Sequence, residues 1–190
     1  MKLLRKHFYI LFLIISTTAF FHPIFLVGKL PIPSDALVGL YHPWRDFYKD
    51  NYPNGMPYKN PLITDPVRQQ IPYRKLGIDL LKQGIFPNWN PYAFSGTPLF
   101  ANIQSALLYP LNVLFWIFSF ETAWSLLTLL QPLLAGVFMY LYLKSFKLDN
   151  RACFLGSISF SWCGFMVAWL EWNTIGQVAL WLPLILLSIN

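Results

Sequence analysis

TAWSLLTLLQPLLAGVFMYLYL, from Thr122 to Leu143, is an apolar run that ends abruptly on Lys144, Lys147, Asp149 and Arg151. At about 1.5 Å per residue, roughly 20 helical residues cross a hydrocarbon core of about 30 Å. The run therefore predicts a transmembrane helix. A second run, Ala152–Leu170, follows the basic cluster, and a third starts at Ile175 after the break Glu171-Trp172-Asn173-Thr174. Lys and Arg accumulate on the cytoplasmic side of membrane segments. The first run then enters the cytoplasm, the second leaves it, and Glu171–Thr174 faces outside. Trp124, Trp169 and Trp172 fall near the outer boundary in this scheme, and Tyr140 and Tyr142 near the inner one.

Working backwards, Ala106–Phe118 is apolar but short for a span. It reads as an interfacial helix. Had it crossed the membrane, the cluster at 144–151 would lie outside, against the positive-inside rule. At the other end, Lys2, Arg5 and Lys6 precede an apolar run from Phe8 to Val27. A cleaved signal peptide is the rival reading, but its apolar part is normally about 7–15 residues and is followed by small residues. This run is longer and ends in Phe25, Leu26 and Val27, so a retained anchor with a cytoplasmic N-terminus is expected.

Composition agrees with this layout. The chain is 56% hydrophobic, 18% aromatic and 12% charged, whereas soluble domains carry about 25% charged residues. The net charge of +6 does not point to nucleic acid, because the basic residues form no dense run and many flank membrane segments. Cys153 and Cys163 lie within one apolar run, where small apolar packing is the simple reading and a disulfide framework is not supported. The expectation is an all-α polytopic membrane protein with about four transmembrane helices. Its parts are a tip and first helix (1–27), a Pro-rich extracytoplasmic loop (28–121) with short helices and an interfacial helix (106–118), and spans at 122–143, 152–170 and 175–190. The last run lacks a basic stop, so the chain is expected to be the N-terminal piece of a longer membrane protein.

In the loop, Leu62–Gly84 is the best helical stretch. Thr64 or Asp65 suits its cap, Pro66 its first position and Gly84 its end, while Pro72 is expected to kink or split it. No phosphate-binding Gly-rich loop, metal-spaced Cys/His set or HExxH occurs. His7, His22 and His42 are scattered and read as non-catalytic.

The order of loop motifs carries a resemblance. Pro33-Ser34-Asp35 is followed by Tyr41-His42-Pro43-Trp44-Arg45, then Thr64-Asp65-Pro66-Val67-Arg68-Gln69-Gln70-Ile71-Pro72-Tyr73. Pro87-Asn88-Trp89-Asn90-Pro91-Tyr92, Gly96-Thr97-Pro98 and Ala101-Asn102-Ile103-Gln104 come next, leading to Leu108-Tyr109-Pro110-Leu111. This order resembles the YfhO-like family of bacterial membrane proteins, which look like type C glycosyltransferases. The resemblance covers nearly the whole chain and is most specific from Gly84 to Pro110.

The resemblance implies an enzyme of the bacterial inner membrane. It would move a sugar from a polyprenyl-phosphate donor to a cell-envelope acceptor on the outer face, with membrane lipid as a further partner. It also implies a much longer chain with more spans, so that 190 residues alone would lack a complete site. The catalytic candidate is an acidic residue in the first outer loop, and Asp35 stands at the matching place. Asp65 is the second candidate. A carboxylate can take the acceptor's proton or hold a divalent cation beside the donor phosphate. Either Asp can equally be a turn or cap residue. Arg45, Arg68, Arg74 and Lys75 are the available phosphate partners, though solvated positions or lipid-headgroup contacts would use the same side chains. Trp44, Trp89 and Tyr92 can stack on a sugar or anchor at an interface. Asn90, Asn102 and Gln104 can bond sugar hydroxyls or satisfy the backbone of a Pro-rich loop. Glu171 and Asn173 would face the same side. The alternatives are a polytopic transporter or lipid-handling protein, and a non-catalytic membrane assembly protein. Nearly charge-free spans, with the acids in the loop, weigh against transport.

Overall fold

A computed structural model describes residues 2–56, 60 and 62–190, with side chains from residue 8 onward. The side chains of Lys2, Arg5, Lys6 and His7 lie outside the described residues. Among the described residues the regular structure is helical apart from one two-stranded hairpin, and the chain divides into two compact units. Unit 1 comprises 1–31 and 124–190, and unit 2 comprises 32–123.

Unit 1 begins with α1 (Lys2–Phe20) and α2 (His22–Val27). The expected run from Phe8 to Val27 is thus broken near its end, and the cause is Pro23. It has no N–H to give to Ala19 four residues back. The imidazole of His22 bonds that carbonyl instead, Nδ1 to O at 2.9 Å, which gives this histidine a structural task. Gly28, at φ 69°, ends α2.

The stretch at 122–143 lies within one continuous helix, α7 (Phe120–Ser145). Next come α8 (Asn150–Ser161) and α9 (Gly164–Ala168). The Asp149 carboxylate caps α8 by accepting from the Arg151 N–H at 2.9 Å. Two helical stretches, Phe120–Ser145 and Asn150–Ala168, are long and apolar enough to cross a membrane. Phe8–Phe20 and Ile175–Ile189 are shorter apolar helices, and the latter divides into α10 (Ile175–Ala179) and α11 (Leu182–Ile189), with Pro183 in the first turn of α11.

Packing in unit 1 places small and polar residues inside. Gly136 of α7 seats the Leu13 side chain of α1 and the Ser161 hydroxyl of α8: a Cβ there would stand 3.0 Å from one and 3.4 Å from the other. Such small-residue seats let helices approach closely in lipid. Thr128, Gln131, Ser157, Ser161, Asn173 and Gln177 are buried, while Leu155, Phe165, Val178 and Ile185 are exposed. Trp124 is fully buried, so its indole packs against protein and does not face lipid. Trp169 and Trp172 pair at 5.0 Å between ring centroids. Both cysteines are free thiols, Cys153 buried and Cys163 half-buried.

Unit 2 starts with α3 (Asp35–Leu40) and α4 (Trp44–Phe47). The helix expected at 62–84 forms from Pro66 to Lys82 in two parts, a π-helical turn (Pro66–Gln70) and α5 (Ile71–Lys82). Pro72 explains the division, since it cannot donate to the Arg68 carbonyl and the wider turn absorbs the misfit. Gly84, at φ 74°, closes the end, with the Ile85 N–H donating to the Leu80 carbonyl at 2.9 Å. Asp65 occupies the position before Pro66 but makes no capping hydrogen bond.

The hairpin pairs β1 (Trp89–Asn90) with β2 (Thr97–Pro98), antiparallel. The interfacial segment at 106–118 is not one helix. A 3-10 turn at Pro110–Val113 runs into the single-turn α6 (Leu114–Ile117), after an earlier 3-10 turn at Ile103–Ser105. Ala106, with φ 49°, separates the two 3-10 turns. Ala36, Ile63, Ile78, Leu99, Leu107 and Phe115 form the apolar interior, with Gly77 leaving room for Leu107.

Candidate functional site

Asp35 is the first residue of α3, half-buried, and its Oδ1 accepts from the Ala36 N–H at 3.1 Å. Asp65 is exposed, one residue before the π turn. These carboxylates belong to different elements. Arg68, one turn after Asp65, reaches back to the end of α3, where its guanidinium lies 5.8 Å from the centroid of the Tyr41 ring. That cation–π contact ties the Asp65 turn to the helix that Asp35 opens.

Arg68 also lines a groove of about 240 Å³ with Gln69, Pro72, Tyr73, Asn90 and Tyr92. A guanidinium, amides and tyrosine rings thus share one water-accessible recess, a combination suited to a phosphate next to a sugar. Arg68, Asn90 and Tyr92 are sequence candidates that come together here. Gln69, Pro72 and Tyr73 are additional. Their signal was present in the helical spacing, because 68 and 72, and 69 and 73, recur at four residues on one face.

The other candidates have different surroundings. Arg45 is exposed and donates to His42 Nε2 at 2.7 Å, while His42 Nδ1 lies 2.5 Å from the Asp46 carboxylate. The three form a local chain on α4 and the turn before it. Lys75 pairs with Asp79 at 2.9 Å on the surface of α5. Arg74 points into the unit and is only 2% exposed. Burial pulls its guanidinium down to about 10 against an opposing contribution from Tyr109, and it stays protonated at neutral pH.

Trp89 is half exposed, with its indole lying over the backbone of Gly96. Asn90 is buried and its Oδ1 accepts from the Tyr92 N–H at 2.9 Å, while Asn102 does the same for Gln104 N–H at 2.9 Å. Both amides therefore serve the Pro-rich backbone. Gln104 accepts from the Gln70 amide at 3.4 Å. Trp44 stacks edge-on with Phe47 at 6.2 Å. Glu171 is exposed, and Asn173 is buried in unit 1, accepting from Gln177 Nε2 at 2.7 Å.

Among the described residues, no three His, Cys, Asp or Glu side chains gather as a metal-binding set.

Compared with known protein families, residues 102–190 match the family model described as "Bacterial membrane protein YfhO". No curated protein and no solved structure matches the chain. The match covers the end of the loop, from Asn102, and the apolar helices; the motifs before Asn102 lie outside it. With the two long apolar helices it points to a membrane location.

Proposed function

We propose, from this YfhO-like membrane protein as premise, that the chain takes part in glycosyl transfer at the outer face of the bacterial inner membrane. The donor is a polyprenyl-phosphate-linked sugar and the acceptor a cell-envelope hydroxyl. Four membrane segments, with the N-terminus in the cytoplasm, put unit 2 outside. The observation that carries the reading is the groove lined by Arg68. In it Arg68 meets Asn90, Tyr73 and Tyr92, in a unit joined at both ends to apolar helices.

In this mechanism the Asp35 carboxylate takes the proton of the acceptor hydroxyl. The acceptor oxygen forms a bond to the anomeric carbon as the bond from that carbon to the phosphate oxygen breaks. The electron pair leaves on the polyprenyl phosphate, whose charge Arg68 meets with its bidentate fork. Asp65 supports the site by holding Arg68 electrostatically one helical turn away.

Transfer from a polyprenyl-phosphate sugar by the full-length protein tests this. Asp35→Asn should lower kcat by about 10²–10⁴ with little change in KM, the usual range for a lost general base. Arg68→Lys should raise KM for the donor. Unchanged transfer in Asp35→Asn would remove that residue from the chemistry.

A second reading has its own observation. Unit 1 buries Gln131, beside Pro132 within the continuous α7, and Asn173 and Gln177, beside the break at Thr174. Buried amides next to broken helices are also how transporters build midplane sites. Uptake of a lipid or solute in vesicles, with no glycosyl transfer, would favour that reading.

A further inference from the structure

The charge of unit 2 is unevenly distributed. Every charged residue of the unit except Glu121 lies between Asp35 and Lys82, and from Gln83 to Phe120 there is no Asp, Glu, Lys, Arg or His. That uncharged stretch still shows large apolar side chains on the surface. Ile103, Leu108, Trp116 and Ile117 are exposed, and at the hairpin tip Tyr92 is 84% and Phe94 91% exposed. Clustered exposure of this kind marks a surface that meets something apolar.

The tip is built to hold its rings outward. The Asn90 carbonyl oxygen Oδ1 takes the Tyr92 N–H at 2.9 Å, and the Gly96 N–H donates to the Ala93 carbonyl at 2.8 Å. Gly96, at φ 116°, lies under the Trp89 indole, which would stand 2.5 Å from any added Cβ. Phe94 itself has φ 49°, a region that bulky residues rarely adopt. The Phe94 ring, held in this conformation, stands at the edge of the Arg68 groove and is almost wholly exposed.

We propose that the hairpin tip, through Tyr92 and Phe94, inserts into the interface of the phospholipid bilayer. Two further observations select lipid as the occupant. The stretch runs without a charged side chain into α7 at Phe120, a helix long and apolar enough to span. Aromatic rings with a polar handle also favour the headgroup level of a membrane. Tyr92 and Phe94 also form one edge of the Arg68 groove, so the tip fixes the height of that groove against the lipid surface. That assignment goes beyond the glycosyl-transfer reading and stands without it.

The test uses the protein in phosphatidylcholine/phosphatidylglycerol vesicles, in a Cys153→Ser, Cys163→Ser background. An environment-sensitive fluorophore is placed on Phe94→Cys, and in a second sample on Asn54→Cys, an exposed turn in the charged part. The expected result is quenching of the label at 94 by a nitroxide near the top of the acyl chains, with loss of quenching by aqueous iodide; the label at 54 shows the reverse. Iodide quenching at 94 as strong as at 54 would overturn the proposal, including the case where added disaccharide then protects the label, which would mark the rings as a sugar platform. Because the fluorophore is itself apolar, a second sample carries it on Ala93→Cys, with and without Tyr92→Ser and Phe94→Ser. Lipid quenching at 93 that survives loss of both rings would equally overturn it.

Discussion

Unit 1 and unit 2 both bury apolar side chains, but they differ in what they leave on the surface. In unit 1 the amides and hydroxyls of Thr128, Gln131, Ser157 and Gln177 are inside and Leu155, Val178 and Ile185 outside. In unit 2 Ile63, Ile78, Leu99 and Leu107 are inside and Asp65, Arg68 and Lys75 outside. One polypeptide is thus written for two solvents. In hydrocarbon an unsatisfied polar group is costly, so unit 1 turns its amides inward to backbone carbonyls: Gln131 Nε2 to Met166 at 3.0 Å and Gln177 Nε2 to Leu127 at 2.7 Å. In water the gain comes from hiding apolar surface. Unit 2 also buries polar groups, Gln70, Arg74, Asn90 and Asn112 among them, and leaves Leu62, Ile103 and Leu108 exposed beside the rings of the hairpin.

The sharpest way to break this contrast is to disturb the inward amides. Gly176 has no side chain, and a Cβ there would stand 2.6 Å from the Gln131 amide carbon. Gly176→Val should displace that amide and orphan its bond to Met166. Overpacking and a lost buried hydrogen bond together predict a loss of about 2–4 kcal/mol, seen as a lower unfolding midpoint in detergent or nanodiscs. An unchanged midpoint would mean that unit 1 is not held by its polar interior.

A subtler effect concerns Arg74. Burial lowers its pKa to about 10, well below that of an exposed guanidinium, so the unfolded chain holds this proton to higher pH than the fold does. Well below pH 10 both states are protonated and the desolvation penalty is present in full. Above about pH 10 the fold releases its proton first, and stability rises with pH. The stability of the wild type minus that of Arg74→Met should therefore climb above that pH in denaturant titrations. A flat difference would show that the guanidinium is not desolvated.

The smallest effect is expected on the watery surface. Lys75 and Asp79 pair at 2.9 Å with both side chains about half exposed. Lys75→Gln should cost only about 0.3–0.5 kcal/mol, and less in high salt. A loss as large as that at Gly176 would erase the distinction between the units.

The sequence was most legible where one force dominates. The run at 122–143 is apolar throughout and lies inside a single helix, because hydropathy and length alone decide it. Pro72 announced a division in the loop helix and Gly84 its end, each through backbone chemistry that tolerates few alternatives. Legibility failed where tertiary contacts decide. Trp124 looked like a lipid-facing boundary residue, yet its indole packs against protein, since apolar composition does not tell lipid from protein interior. The segment 106–118 has helix-like hydropathy, yet Pro110 and the left-handed Ala106 leave only short turns. In the site, the grouping of Arg68 with Asn90 and Tyr92 depends on how the hairpin folds back, which no local pattern encodes. Asn90 and Asn102 are plain polar residues in sequence; only geometry shows that each bonds a backbone N–H two residues ahead.

The most direct test asks which solvent each surface meets, using a membrane-impermeant maleimide on intact cells in the background lacking both native cysteines. Asn54→Cys, in unit 2, should react at once, and Leu155→Cys, on the exposed side of α8, should stay unreacted even after the cells are opened. Reaction at 155 as fast as at 54, or at 54 only once the cytoplasm is reached, would contradict the account.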